Sequence, residues 1–424
     1  MKVCTLTHTY PRFIGDINAP FVEHLMEHIA GLGNGVSVLT AYDPEWNRRS
    51  GDHTVDLRTY RYIWPDKLHI LGYSRTIEGN VRFRKRMLAL SPFLFVSAYR
   101  AYLRLVREKQ PDVLHAHWIL PNGFIAGLVS RSTGVPLLVQ LHGSDVFTAE
   151  KNALFRSMAR LAARQAHYIV SPSPDLTARL GAIGIDTGKF GLVPNTVESD
   201  FSANVNSEDV RGLREALGIP PHYTVVLAMG RMVHVKGFTF LLEAFQKVAA
   251  VHENVTLVLA GGGVLFDDMK KRAVQLGISG RVIMPGAVMR SDVPLYFKTA
   301  DMFVVPSIRH ESGAVDGLPV VVPEAMASGL PIVASDVGGI PVLVRDGLTG
   351  ILAGERDVDA LAAAMGRLIE DHELRKELGR RARHVITHSV NYDAVAAHFS
   401  LIYKEIAVHG TPADAIPKFP IEMD

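Results

Sequence analysis

The sequence predicts an α/β protein built from two doubly wound parallel-sheet domains that face each other across a cleft. Short apolar runs alternate with amphipathic helical stretches along the whole chain, which is the pattern of parallel sheets covered by helices. The chain has 424 residues, which is too long for one ordinary hydrophobic core and suits two domains of roughly 200 residues.

The first half of the chain begins with a predicted strand at Lys2–Thr7, a helix at Ala19–Leu32 and a strand at Val36–Thr40. Gly15 lies in the loop after the first strand, where a glycine lets the backbone come close to a ligand. Further strands are expected at Val113–His117, Leu137–Leu141, Tyr168–Ser171 and Phe190–Pro194, with helices over 121–132 and 151–164 between them.

The second half repeats this rhythm after a polar stretch, Glu198–Asp209, that suits a linker. Its predicted elements are strands at Thr224–Ala228, Val255–Ala260, Val282–Met284, Met302–Pro306 and Pro331–Ser335, and helices at Phe238–Val251, Val293–Thr299, Val358–Glu370, Glu373–Val385 and Tyr392–Ile406. We therefore expect an N-terminal domain over 1–200, a C-terminal domain over 201–390, a helix over 391–410 that crosses back to the first domain, and a frayed tail over 411–424.

Composition narrows the class of protein. The chain is 48% apolar and 21% charged, as soluble globular proteins are, and its net charge of +2 gives no reason to expect a nucleic acid partner. A single cysteine, Cys4, excludes an internal disulfide and fits a reducing cytosol. No uncharged apolar run approaches the roughly 18 residues that span a bilayer. We expect a cytoplasmic protein; if it is attached to a membrane, we expect it at the inner face.

One segment suggests such attachment. Val81–Arg107 mixes basic residues with leucine and phenylalanine at helical spacing, and a basic amphipathic helix can lie on an anionic membrane surface. The alternative is a helix that packs on the sheet with its basic face in water. The sequence leaves both open.

The chemistry concentrates in the stretch from Asp301 to Leu343. A buried strand leads into a polar loop that ends at Gly317, and a helix is expected over Pro319–Ser328. Ligands of open parallel sheets bind beyond the carboxyl ends of the strands, so the acids Asp316 and Glu324 are expected to face a ligand. One carboxylate can accept hydrogen bonds from ribose hydroxyls and the other from a sugar. A solvated acid in the first helical turn is the alternative for Glu324.

A second loop joins a buried strand to a helix and carries two cations. Arg231 and Lys236 are flanked by Gly230 and Gly237, and a guanidinium with an ammonium is a common means of holding phosphate oxygens. Taken alone, an Arg-x4-Lys pair favours solvated surface over a phosphate site. The phosphate interpretation gains support from the Asp316 and Glu324 loop expected in the same domain. The loop is not a Walker loop, because no G-x4-G-K-[ST] string occurs in the chain.

The histidines are harder to interpret. His142 directly follows a predicted strand and suits contact with a sugar, while Ser144 or Asp145 could cap the next helix. His115 and His117 share one strand face, as a metal pair would, but no further ligand falls at suitable spacing. Asp357 and Asp359 stand where a helix begins and are expected to be acids of its first turn. No metal site is expected.

Together these residues resemble the retaining GT-B glycosyltransferases of family 4, and the resemblance covers nearly the whole chain. The strings that carry it are the glycine-bearing loop after the first strand, HAHW at His115–Trp118, HGSD at His142–Asp145, VPN at Val193–Asn195, GRMVHVKGF at Gly230–Phe238, AGGG at Ala260–Gly263 and DGLPVVVPEAMASGLPIVASDVGGIP at Asp316–Pro341. Their order and spacing make the set specific.

The resemblance implies a function and a role for each of these residues. A hexose-type sugar would move from a nucleoside-diphosphate sugar, with UDP or GDP expected, to an acceptor hydroxyl on a glycan, a lipid-linked sugar or a small molecule. It implies an acceptor-side N-terminal domain, a donor-binding C-terminal domain, and neither metal nor cofactor. The implied site residues are His142, Arg231 and Lys236 for catalysis, and Gly15, Asp316, Gly317, Leu318, Pro319 and Glu324 for donor binding.

Two departures from the family pattern stand out. Asp316 replaces the commoner glutamate, so the identity of the donor sugar does not carry over. Pro323 precedes Glu324, and a proline inside a helix costs about 3 kcal/mol, so this helix is expected to start late, with Pro323 in its first turn.

Other interpretations of the function remain open: a nucleotide-sugar epimerase, a phosphorylase-like enzyme, or a non-catalytic subunit that binds a sugar nucleotide. The loops over 46–79, expected to read the acceptor, follow no interpretable pattern.

Overall fold

The computed structural model describes residues 1–16, 18–48, 51, 54–71, 81–311, 313–410 and 416–422, with side chains of the helix that starts at Val81 described from residue 90. The chain forms two compact units. Unit 1 comprises Met1–Val193 with Tyr392–Phe419, and unit 2 comprises Pro194–Asn391 with Pro420–Asp424. Of the tail expected over 411–424, residues 411–415, 423 and 424 lie outside the described residues.

Unit 1 contains a seven-stranded parallel sheet. Its strands are β1 (Lys2–Leu6), β2 (Gly35–Ala41), β3 (Asp56–Tyr60), β4 (Val113–His117), β5 (Leu137–Gln140), β6 (Tyr168–Ser171) and β7 (Phe190–Leu192), in the order β3-β2-β1-β4-β5-β6-β7. Its helices are α1 (Pro20–Gly31), α2 (Val81–Lys109), α3 (Phe124–Thr133), α4 (Ser144–Glu150), α5 (Ala153–Gln165) and α6 (Pro174–Ala182). Strands β4 and β6 are buried along their whole length, as expected for a sheet covered on both faces.

Unit 2 contains a six-stranded parallel sheet. Its strands are β8 (Thr224–Met229), β9 (Val255–Ala260), β10 (Val282–Gly286), β11 (Met302–Val305), β12 (Ile332–Ser335) and β13 (Gly350–Ala353), in the order β10-β9-β8-β11-β12-β13. Its helices are α7 (Ser207–Ala216), α8 (Phe238–Val251), α9 (Phe266–Gln275), α10 (Val293–Thr299), α11 (Val321–Ala327), α12 (Val358–Glu370) and α13 (His372–His388).

The last helix, α14 (Tyr392–His409), belongs to unit 1 although the chain before it belongs to unit 2. It packs on α1, where the ring of Tyr392 stacks on His24 and His28 with centroids 5.4 Å apart. Deeper in the unit, the Tyr403 hydroxyl lies 2.8 Å from His115 Nδ1. The helix therefore completes the hydrophobic core beneath the centre of the first sheet.

Each sheet has one point where the order of the strands reverses. In unit 1 the chain runs from β1 outward to β3 and then returns to β4 beside β1; in unit 2 it runs from β8 outward to β10 and returns to β11 beside β8. The loops on either side of such a reversal diverge and leave a crevice at the carboxyl ends of the strands, where open α/β sheets bind their ligands. These two places are therefore the candidate ligand-binding positions of the two units.

Most predicted elements are present, and the differences have simple causes. Residues 198–209 are not all linker, because α7 begins at Ser207 with Asn206 as its cap; none of its residues is buried, so it carries no apolar signal. Strand β3 was not predicted, since its sequence DLRTY lies at the sheet edge and is mostly polar. The helix expected over 151–164 is present as α5, and it starts at Ala153 because the Asn152 side chain caps its first turn.

Helix α2 is amphipathic, as the basic segment predicted, and contains Pro92. The basic side chains at positions 82, 84, 85 and 86 lie outside the described side chains. Among the described residues, no helix combines the length and the apolar character that crossing a membrane requires.

Candidate functional site

The loop after β8 lies at the strand reversal of unit 2 and carries Arg231 and Lys236. Gly237 at its end has φ +66°, and a Cβ there would lie 1.8 Å from the carbonyl oxygen of Pro306. The Ile308 amide also donates to the carbonyl of Val235 at 2.9 Å. The loop after β8 and the loop after β11 are thus fastened together, and only glycine fits where they touch.

This arrangement brings two of the predicted residues into contact. Lys236 Nζ lies 3.0 Å from Asp316 Oδ2, and both side chains are mostly buried, with 14% and 19% exposed. The Ser307 hydroxyl donates to the same oxygen at 2.9 Å, which leaves the other carboxylate oxygen of Asp316 available to a ligand. The side chain of Arg231, on the same loop, is exposed.

The backbone around Asp316 is held by two further contacts. Gly338 in the glycine-rich turn has φ +63°, and a Cβ there would lie 2.2 Å from the carbonyl oxygen of Asp316. The Asn195 amide donates to the carbonyl of Leu318 at 2.6 Å. Leu318 and Pro319 are buried while Gly317 is half-buried, so this segment presents mainly backbone.

Glu324 is the most buried acid of the site. It lies on α11, which starts at Val321, so Pro323 sits in the first turn where a missing N–H costs nothing. The late start that Pro323 predicted is therefore confirmed. The Glu324 side chain is 4% exposed and accepts a hydrogen bond from Arg290 Nη1. Burial raises the pKa of Glu324, and the Arg290 guanidinium opposes that rise. Glu324 is not the solvated acid of the alternative interpretation.

Sequence reasoning missed Arg290. It follows β10, and its guanidinium carbon lies 5.4 Å from the centre of the Phe201 ring while the guanidinium contacts Glu324. The sequence feature that could have predicted it is its position after a predicted strand, which is also the position of Arg231. It belongs to none of the recognised strings, and only the folded chain shows that it meets Glu324.

The strand reversal of unit 1 holds His142. Its Nε2 lies 3.1 Å from His117 Nδ1, and burial, together with His115 and His8 nearby, keeps the pKa of His142 well below its usual value. Asp145 does not cap α4, which has Gly143 as its cap residue and no side-chain capping bond. Its carboxylate instead accepts from the backbone amides of Ile119 at 2.7 Å and His142 at 3.2 Å, so its role is structural.

Gly15 lies in the loop after β1, exposed and with φ +86°. The loop is clamped by Arg12, whose Nε donates to Asp16 Oδ2 at 2.6 Å and whose Nη2 donates to Oδ1 at 3.2 Å. This pairing lowers the pKa of Asp16 to about 2, although burial opposes it. The clamp holds Gly15 at the carboxyl end of β1.

The remaining predicted motifs are structural. Asp357 caps α12 by accepting from the Ala360 amide at 2.9 Å, and Asp359 pairs with Lys247. His115 and His117 are fully buried and stack on each other at 4.4 Å. Within the described part of the chain, no group of three or more metal-ligating side chains is placed to hold a metal ion.

Comparison with known proteins identifies the family. Residues 209–385 match the family described as glycosyl transferases group 1, and residues 19–196 match the glycosyl transferase 4-like domain. The chain is a group 1 glycosyltransferase. This glycosyltransferase is 25% identical over 418 residues to an uncharacterized glycosyltransferase of Methanocaldococcus jannaschii, with 95% of this chain and 98% of the relative covered. It is 28% identical over 400 residues to the alpha-D-kanosaminyltransferase of Streptomyces kanamyceticus, with 91% and 99% covered.

A solved structure shows the same fold. The glycosyltransferase resembles Anabaena HepE in complex with UDP, with a TM-score of 0.73, 18% sequence identity, and 96% of this chain and 100% of that chain covered. The architecture of the glycosyltransferase is therefore GT-B, as the sequence predicted.

A cavity of about 370 Å³ lies beside the loop after β8 and is lined in part by His234, Gly237, His310 and Arg356. Neither Lys236 nor Asp316 nor Glu324 contributes to its walls. The charged residues of the candidate site thus lie outside this cavity, and we assign the site by its side chains.

Proposed function

We propose that the protein is a retaining, metal-independent glycosyltransferase that moves a hexose-type sugar from a nucleoside-diphosphate sugar to an acceptor hydroxyl. The observation that carries the proposal is the Lys236–Asp316 contact at the strand reversal of unit 2, with the buried Glu324 on the next helix. A cation and two carboxylates in that order match the three parts of the donor: diphosphate, sugar and ribose. The HepE complex with UDP supports this class of donor, and UDP or GDP is expected.

In this proposal the donor rearranges the Lys236–Asp316 pair. A diphosphate carries two negative charges or more, so it attracts the ammonium of Lys236 and the exposed guanidinium of Arg231. Asp316 then keeps the Ser307 hydrogen bond and turns its free oxygen to the sugar hydroxyls. Glu324, whose negative charge the Arg290 guanidinium stabilises, accepts hydrogen bonds from the ribose hydroxyls. The backbone that follows, from half-buried Gly317 to buried Leu318 and Pro319, fixes the position of Asp316.

The reaction we propose is a front-face displacement. The bond between the anomeric carbon and the diphosphate breaks, and the acceptor oxygen bonds to the same face of the sugar. The proton of the acceptor hydroxyl passes to a leaving phosphate oxygen. Negative charge grows on the diphosphate as it departs, so Arg231 and Lys236 stabilise the transition state more than the bound donor. In unit 1, the proposal assigns His142 to contact with the donor sugar and Gly15 to contact with phosphate.

The test is a transfer screen with UDP-, GDP- and ADP-sugars against soluble and lipid-linked acceptors. We expect one donor to be consumed only when an acceptor is present, an unchanged rate in EDTA, and a product with the anomeric configuration of the donor by NMR. An inverted anomeric centre would exclude the retaining mechanism. Donor consumption without an acceptor would favour an epimerase, and no consumption with any donor would favour a non-catalytic subunit.

We also propose that the acceptor is a glycan, a lipid-linked sugar or a small glycoconjugate, as in the synthesis of cell-surface polysaccharide or glycolipid. The kanosaminyltransferase relative supports a small-molecule acceptor. The loops over 46–79 are described only in part, so the residues that read the acceptor there lie partly outside the described chain.

Peripheral membrane contact is a separate proposal that concerns α2. Phe93 and Val96 are 56% and 49% exposed on one face, and Arg100 and Arg104 continue that face as exposed cations. Apolar side chains beside cations suit the interface of an anionic membrane at the cytoplasmic side. The alternative remains a basic helix face in water.

Liposome co-sedimentation separates these two readings. We expect binding to anionic but not neutral vesicles, and weaker binding after replacing Phe93 and Val96 by serine. The control is Val251→Ser, an exposed apolar residue at the end of α8. Equal sedimentation with neutral and anionic vesicles would contradict the proposal.

A further inference from the structure

A cluster of rings lies at the strand reversal of unit 1. His8 follows β1, Trp118 follows β4 and His142 follows β5. The ring of Trp118 contacts both histidines, with centroids 4.6 Å from His8 and 4.2 Å from His142. Because ligands of open α/β sheets bind at such a reversal, the functional groups that these rings present decide what can bind here.

Asn122 determines which nitrogen of His8 carries the proton. The Asn122 Nδ2 atom lies 2.7 Å from the carbonyl oxygen of His117 and 3.0 Å from His8 Nδ1. A carbonyl oxygen only accepts, so the atom beside it is the amide NH₂, and that NH₂ donates to His8 Nδ1 as well. Burial lowers the pKa of His8 to about 4. His8 is therefore neutral near pH 7 and carries its proton on Nε2.

His117 determines the tautomer of His142 in the same way. His117 is fully buried, and its Nε2 has no hydrogen-bond partner among the described residues. A buried N–H without a partner is rarer than a buried acceptor without one, so His117 carries its proton on Nδ1 and donates it to His142 Nε2. His142 is then protonated on Nδ1. Both histidines beside Trp118 thus present an N–H donor.

The backbone at Trp118 is strained in a way that serves this arrangement. Trp118 has φ 68° and ψ 127°, a conformation that non-glycine residues rarely adopt. Such strain persists where the surroundings enforce it and is found at functional sites. Here the Trp118 amide donates to the Gln140 carbonyl and its own carbonyl accepts from Gly123. These bonds hold the indole ring in contact with both imidazoles.

We propose that His8 binds an oxygen of a neutral, hydroxyl-bearing ring, a sugar or polyol, through Nε2–H, and that Asn122 is its positioning residue. The inference rests on the glycosyltransferase proposed above and adds a residue to it. Two neutral N–H donors beside an indole suit hydroxyl or ring oxygens. They do not suit a phosphate, which cations bind better, and the one acid of the cluster, Asp145, uses its oxygens on backbone amides.

Two substrates could supply that ring, the donor sugar and the acceptor, and steady-state kinetics tells them apart. In His8→Phe we expect KM to rise at least ~10-fold for one of the two, the scale of one lost hydrogen bond, with the affinity for the free nucleoside diphosphate unchanged. His8→Gln, whose amide places an N–H near the former Nε2, should restore much of the loss. Exposed His409 on α14 supplies the control variant, His409→Phe.

A second readout follows the proton itself. Long-range proton–nitrogen NMR of protein labelled in histidine should show His8 protonated on Nε2 near pH 7, with its signals identified by their absence in His8→Phe. Asn122→Asp replaces the donor at Nδ1 by an acceptor, so the proton should move to Nδ1 and KM should rise as in His8→Phe although His8 is intact.

The outcomes separate this inference from the proposed function. Wild-type transfer with unchanged KM values in His8→Phe overturns the role of His8 alone, as does a His8 signal protonated on Nδ1. Absence of transfer by the wild type with every donor overturns the proposed function and this inference with it. A KM increase confined to one substrate, restored in His8→Gln, supports the role and identifies the ring that His8 binds.

Discussion

Lowering the pH from about 8 to about 5 should destabilise unit 1 through histidines whose pKa is lowered in the folded chain, and replacing His115 should remove part of that effect. Burial lowers the pKa of His115 to about 3 and that of His8 to about 4. The unfolded chain, with histidines of ordinary pKa near 6.5, therefore binds more protons below that pH than the folded chain does. Stability is fully present above pH 6.5 and is lost as the pH falls toward the folded values.

The size of the effect follows from these pKa values. For each of the two histidines, the difference in proton binding lowers the free energy of unfolding by about 2 kcal/mol between pH 8 and pH 5. Together they remove about 4 kcal/mol, a large share of the 5–15 kcal/mol that stabilises a typical domain. His115→Asn should lose about 2 kcal/mol less over the same range. Asparagine places its amide near the Nδ1 position that meets the Tyr403 hydroxyl.

Urea unfolding at several pH values measures this difference. The chain has three tryptophans, at positions 46, 64 and 118, and all lie in unit 1, so tryptophan fluorescence follows the unfolding of that unit alone. Comparing each variant with the wild type cancels the contribution of other titrating groups. The control is His409→Asn, because His409 is exposed. If His115→Asn loses as much stability as the wild type on acidification, the reasoning is refuted.

Three further predictions concern unit 2. Arg231→Ala and Lys236→Ala should each lower turnover at least ~100-fold, the scale of losing one donor to a developing anion; wild-type turnover in either variant would refute the role. Arg290→Met should raise the donor KM roughly tenfold or more at mildly acidic pH, because without the guanidinium the pKa of buried Glu324 rises further and the carboxylate takes up a proton as the pH falls. In Arg290→Lys the donor KM should depend less on pH than in Arg290→Met, and an identical pH dependence of KM in both variants would contradict this. Gly338→Ala should cost at least ~2 kcal/mol of stability through its contact with Asp316, whereas Gly212→Ala, in open space on α7, should stabilise by up to ~1 kcal/mol; thermal unfolding compares the two.

The apolar periodicity of the sequence predicts the fold but misses the helices and strands that bury few side chains. Helix α8 and strand β9 are found where the apolar pattern placed them, since each is buried along one face or along its whole length. Helix α7 and strand β3 bury few or no side chains. Tertiary hydrogen bonds and helix caps determine where they form, so the local pattern of apolar residues does not predict them.

The residues of the candidate site also fall into two groups, those that the sequence predicted and those that only the folded chain reveals. The contact between Lys236 and Asp316 joins two loops that are 80 residues apart in the sequence, and the recognised strings predicted both partners. Arg290 and Asn122 were not predicted, because what distinguishes each is the single side chain it meets: Glu324 in one case and His8 in the other. Such pairings depend on the strand order, which periodicity does not reveal.

Calorimetric titration of UDP and GDP into the wild type and into Lys236→Met tests the central claim most directly. The matched control is Lys247→Met, which removes a lysine whose partner is Asp359 on the surface. If the strand reversal of unit 2 binds the donor diphosphate, one nucleotide binds the wild type and Lys247→Met alike and binds Lys236→Met at least ~10-fold more weakly, the scale of one charge-assisted hydrogen bond. Equal affinity for Lys236→Met and the wild type would contradict the assignment.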